Sequence, residues 1–175
     1  MLQWARTNGC PWVCIDWVCP FAARCGHLEV LQWARAHDYP WDSETCRLAA
    51  RGGHLEVLLW ARVHGCSWDL GTSAAAAGRG HLEVLQFARA HGCAWDEATC
   101  AHAALGGHLE VLKWARQHGC PWDLRTCAYA ARFGHLKVLW WAWAHGCPCT
   151  WKAAVTGVKL QVHQWWGGAN LRVVP

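Results

Sequence analysis

The residues best suited to chemistry in this chain are histidine and cysteine, which recur as His-Gly-Cys at 64–66, 91–93, 118–120 and 145–147. Imidazole nitrogen and thiolate sulfur are the usual ligands of zinc, which needs about four of them converging at roughly 2.0–2.3 Å. The spacing opposes that reading. Each group belongs to a different copy of a 27-residue unit, and neighbouring copies must stand apart by the roughly 8–10 Å of helix packing. One group therefore offers an ion at most two ligands, and no cofactor or metal is expected. The irregular trio Cys14, Cys19 and Cys25 is the thiol group more open to a metal or redox role.

Catalysis is not expected either. A nucleophile, a base and an orienting group should appear once, where a pattern breaks. Here every His, Asp and Thr that could serve recurs in one structural role, and no glycine-rich phosphate loop or out-of-register carboxylate pair is present.

The elements that would position these residues follow from the period. Gly-His pairs fall at 26–27, 53–54, 80–81, 107–108 and 134–135, each 27 residues after the last, and a fixed period of this size marks a repeat array. Each unit opens with an N-cap signal, Asp42/Thr45, Asp69/Thr72, Asp96/Thr99 or Asp123/Thr126, because an Asp carboxylate accepts from the orphan amides at a helix start. About two turns later comes an alanine pair such as Ala49-Ala50, then two variable residues, then Gly-His, with the glycine suited to a left-handed helix end. A second helix over roughly His54 to His64, with Leu55, Val57, Leu58, Trp60 and Ala61 apolar, should be packed on both flanks. Glu56 at its start and Arg62 and His64 at its end complement the helix dipole.

The pattern Thr45-Cys46 through Ala49-Ala50 to Gly53-His54-Leu55-Glu56-Val57-Leu58 resembles the ankyrin repeat, over about residues 19 to 147. Ankyrin units are about 33 residues long and open on Thr-Pro-Leu-His; these have 27 residues, no such tetrapeptide and a Cys-x-Trp-Asp return in place of a β-hairpin finger. The resemblance implies an all-α solenoid of stacked helix–turn–helix ankyrin-like repeats in one domain. Residues 1–18 form a partial, irregular first unit, 19–147 the regular array, and 148–175 a degenerate cap and tail. Met1–Trp12 matches the second half of a unit, which predicts either an open N-terminal end or further residues upstream. Two extra residues between Trp12 and Cys19 predict a bulge or loop, and Gly167–Pro175 is expected to be disordered.

The columned cysteines, Cys66/Cys93/Cys120/Cys147 and Cys19/Cys46/Cys100/Cys127, are expected to be small buried groups with unpaired thiols, which suits an intracellular, cytoplasmic setting. Among the sixteen tryptophans are further columns, Trp33/Trp60/Trp114 with Phe87 in the gap and Trp41/Trp68/Trp95/Trp122, which are expected as core and loop-packing residues. No apolar run reaches the ~18 residues of a membrane span.

Charge placement supplies the candidate surface. The segments 19–28, 46–55, 73–82, 100–109 and 127–136 hold no acid but do hold Arg24, Arg47, Arg51, Arg79 and Arg132, and beyond Asp123 all six charged residues are basic. The resemblance implies that the two positions before Gly-His face a partner. Arg24, Arg47, Arg51, Arg79, Arg125 and Arg132 are thus read as a basic stripe, with Tyr129 and Phe133 as apolar anchors. The expected function is non-catalytic protein–protein binding by a monomer, to a partner with an acidic segment. The alternative is nucleic-acid binding through a basic, aromatic-lined face, although a net charge of +4 is too mild to argue for it.

Overall fold

The computed structural model describes residues 15–149. The helix expected at Met1–Trp12, Cys14 and the cap and tail from Thr150 onward lie outside them. Among the described residues the fold is all-α. A 3-10 turn, Ile15–Trp17, leads directly into α1 (Val18–Arg24); the start of the stretch where a bulge or loop is expected, residues 12–14, lies outside the described residues. The helices that follow are α2 (Leu28–Ala36), α3 (Ser43–Gly52), α4 (Leu55–Val63), α5 (Leu70–Gly78), α6 (Leu82–Ala90), α7 (Glu97–Leu105), α8 (Leu109–Gln117), α9 (Leu124–Arg132) and α10 (Leu136–Ala144). None of them is long and apolar enough to cross a membrane.

The helix boundaries have local causes. The carboxylates of Asp42, Asp69, Asp96 and Asp123 accept from the backbone N–H two residues on, at 2.9–3.0 Å. At the other end of α3, His54 N–H donates to the Ala49 carbonyl at 3.0 Å and Gly53 N–H to the Ala50 carbonyl at 3.2 Å. This crossed pair of bonds needs a left-handed residue, and Gly53 sits at φ +78°. The even-numbered helices stop in the same way on Gly65, Gly92, Gly119 and Gly146, with Asp38 at φ +60° filling the equivalent place after α2, a conformation Asp tolerates better than most residues.

Each odd-numbered helix packs closely on the next odd one and on its own even partner, so the molecule is a row of helix pairs. Close approach is possible because the facing residues are small: Thr45, Cys46, Ala49 and Ala50 in α3 meet Thr72, Ser73, Ala76 and Ala77 in α5, all completely buried. Leu31, Leu58, Leu85 and Leu112 supply the large buried side chains beneath them.

Two expectations need correction. The even-numbered helices touch one another only sparsely, and Leu59 and Val63 on α4 remain 46% and 75% exposed, so their flanks are not both packed. The tryptophan columns are half-buried and line the edge of the core. Trp95 meets Trp114 edge-on at 5.8 Å, and Trp114 stacks on His118 at 4.2 Å.

Candidate interaction surface

The stripe is carried by the C-terminal ends of the odd-numbered helices. Arg24 and Arg51 lie in the last turns of α1 and α3, Arg79 directly follows α5, and Arg132 ends α9; all four are exposed. The carbonyls at these ends have lost their helical partners, and a histidine from the next unit supplies one. His54 Nε2 donates to the Arg24 carbonyl at 3.0 Å, His81 Nε2 to Arg51 at 3.2 Å and His135 Nε2 to Leu105 at 3.0 Å. The Gly-His signature is therefore a tie between units. A Cβ on Gly53 would fall 2.6 Å from the His81 ring, so glycine there serves the tie as well as the backbone turn. Burial, together with the positive neighbours His135, His81 and Arg79, pushes the His108 pKa below its ordinary value despite a bond to the Gly78 carbonyl.

The structure divides the eight candidate residues. It brings Arg24, Arg51 and Arg79 onto three consecutive packed helices. The next unit breaks the row with Leu105-Gly106, and it resumes at Arg132, whose guanidinium lies 5.7 Å from the Phe133 ring centroid. Phe133 is 51% exposed, and half-buried Tyr129 stands one turn before it on the same face of α9. Arg47 and Arg125 are separate from this group. Arg47 is held by both carboxylate oxygens of Glu44 at 2.5 Å, and Arg125 by Asp123 at 2.7 Å, so their charge is largely answered within their own helix starts.

Two further features bear on this surface, the first legible in the sequence and the second missed by sequence reasoning. Glu29, Glu56, Glu83 and Glu110 follow each histidine by two residues, and Lys137 replaces them in the fifth unit. Net positive character therefore concentrates around Arg132, His135 and Lys137. The second feature is a ladder of Arg–Trp pairs. Arg35, Arg62, Arg89 and Arg116 lie over Trp41, Trp68, Trp95 and Trp122 at 4.1–4.4 Å, and each donates to the carbonyl four residues on, as Arg89 does to Cys93 at 2.9 Å. The six-residue step from Arg to Trp, the same in all four units, carried that signal. These arginines are structural ties as well as dipole complements.

The same ladder limits the aromatic-lined alternative. A groove of about 350 Å³ is bounded by Lys113, Arg116, Gln117, Trp122, Trp141 and His145, but Arg116 already covers one face of Trp122, and the Trp141 edge meets that ring at 6.0 Å. Base stacking needs an open ring face beside free positive charge.

One cysteine expectation is overturned: Cys127 and Cys149 are joined by a disulfide. Eight other described cysteines are free thiols, Cys25 alone being exposed. Of the trio Cys14, Cys19 and Cys25, Cys14 lies outside the described residues, Cys19 is buried and Cys25 is exposed.

No protein-family model matches the chain, and no curated protein is similar enough to stand as a relative.

Proposed function

We propose that this chain is a non-catalytic protein-binding scaffold, an ankyrin-like solenoid that holds an acidic segment of an intracellular partner along the ends of its odd-numbered helices. The observation that carries this reading is the row of exposed arginines, Arg24, Arg51 and Arg79 in three consecutive units and Arg132 two units further on. The backbone carbonyls of Arg24 and Arg51 are fixed by histidine ties, the side chains of all four arginines are outside any ion pair among the described residues, and the row ends on the exposed ring of Phe133. Charged contacts at such a rim give orientation and encounter rate, while an aromatic anchor gives residence time.

The test uses three fluorescent probes: a Glu- and Asp-rich peptide with one aromatic residue, the same peptide with amides in place of its carboxylates, and a random single-stranded oligonucleotide. The acidic peptide should bind saturably and the amide peptide should not. Tighter binding of the oligonucleotide, with a steep salt dependence, would transfer the assignment to the aromatic groove.

A further inference from the structure

The fifth unit departs from the four before it at two linked places. Trp143 stands where Arg35, Arg62, Arg89 and Arg116 stand, and Cys149 stands where Trp41, Trp68, Trp95 and Trp122 stand. The Arg–Trp pair that closes the return loop of every earlier unit is thus missing from this one. In its place a third sulfur joins a pair that the fold already builds.

That pair recurs along the array. The return-loop thiol donates to the carbonyl of the N-capping Asp: Cys66 to Asp42 at 3.1 Å, Cys93 to Asp69 at 3.3 Å, Cys120 to Asp96 at 3.4 Å and Cys147 to Asp123 at 3.4 Å. Beside it lies the first-helix side chain Cys46, Ser73, Cys100 or Cys127, with Ser73 Oγ 3.3 Å from Cys93 Sγ. Two sulfurs per unit do not make a metal site. At the fifth unit the sulfurs of Cys127, Cys147 and Cys149 all lie within 4.8 Å of one another, with Cys127 and Cys147 buried and Cys149 partly open to solvent.

We infer that, with the Cys127–Cys149 bond reduced, Cys127, Cys147 and Cys149 form a three-sulfur site for one thiophilic metal ion of the Zn(II), Cd(II) or Cu(I) class. Metal–sulfur bonds of about 2.3 Å in tetrahedral geometry put sulfurs a little under 4 Å apart, a spacing this cluster reaches by side-chain rotation once the disulfide opens. Three soft donors select soft ions over calcium or magnesium. Two of the three sit on fixed backbone, Cys127 within α9 and Cys147 in the hydrogen-bonded helix stop, where Cys147 N–H donates to the Ala142 carbonyl at 3.0 Å. Cys149 follows Pro148 and has solvent access, which gives an ion a way in.

The chemistry balances with a named reductant. A dithiol supplies two electrons and two protons, is itself oxidised to a disulfide, and leaves Cys127 and Cys149 as thiols. A divalent ion then displaces three protons to solvent and leaves a trithiolate complex of charge −1. Thiols ligate as thiolates, so the ion must displace their protons and uptake should release acid.

Full-length protein is reduced, freed of reductant without oxygen and titrated with cadmium(II) while the ultraviolet thiolate-to-metal charge-transfer band is followed. The band should saturate at one ion per chain, with proton release. Cys149→Trp restores the residue of the four earlier units, and it should lose the band while keeping the wild-type circular dichroism. Cys149→Ser serves as the second variant should the larger ring disturb the fold. Cys46→Ser and Cys100→Ser should bind as wild type does. Absence of a saturating band in the wild type, persistence of it in both Cys149 variants, or its equal loss in Cys46→Ser would overturn the assignment.

Discussion

Replacing Leu85 by Ala is expected to lower the unfolding free energy by about 3–5 kcal/mol, the range for deleting a fully buried leucine that its surroundings cannot collapse onto. Leu85 is completely buried in α6, the even-numbered helix of the middle unit, and its neighbours are rigid helices. In a row of helix pairs each unit is stabilised by its nearest neighbours, so a cavity there weakens the array on both sides. Trp114→Ala should cost less, about 2 kcal/mol, because part of the ring already faces solvent and truncation removes less buried area. Urea denaturation of both variants checks the order. A loss below about 1 kcal/mol for Leu85→Ala, or a larger loss for Trp114→Ala, would mean that the tryptophans and not the leucines form the core.

The second large effect concerns binding. The combined change of Arg51, Arg79 and Arg132 to Glu should weaken the acidic peptide at least tenfold. Each rim charge contributes roughly 0.5–1 kcal/mol, and reversal adds repulsion, so three changes reach the ~1.4 kcal/mol that corresponds to a factor of ten. The fold should survive, since the histidine ties use the backbone carbonyl of Arg51, not its side chain. Arg47 and Arg125 are instructive controls. Each is already paired with a carboxylate, so changing both to Gln should cost under about a factor of three, in keeping with the small net worth of an exposed, paired charge. Unchanged affinity in a folded triple variant would remove the stripe as the binding face.

Much of the architecture was legible because the same physics repeats. Asp42, Asp69, Asp96 and Asp123 announce helix starts by chemistry that acts within two residues, and Gly53 announces a helix end because few other residues take its backbone angle. Burial was less legible. Leucine and tryptophan both read as apolar, yet only leucine is small enough to lie wholly between layers whose helices are brought close by Ala, Ser and Thr, so the rings are left at the edge. The histidine ties were invisible because they join residues 30 positions apart, as His54 does to Arg24. The stripe was overdrawn for a similar reason: an arginine's spacing does not show that Glu44 or Asp123 already holds it. The sulfur cluster was missed because Cys149 looked like the loss of a tryptophan, when it is also the gain of a ligand beside Cys127 and Cys147.

The most direct test of the binding face is backbone hydrogen exchange with and without the acidic peptide at saturation. Protection should appear at the ends of α3, α5 and α9, in peptides covering Arg51 to His54, Arg79 to His81 and Arg132 to His135. The outer face of the even-numbered helices, marked by Leu59, Val63 and Trp140, which is 69% exposed, should exchange as in the free protein. Protection confined to the segments around Trp122 and Trp141, with no change at the arginine row, would contradict the account.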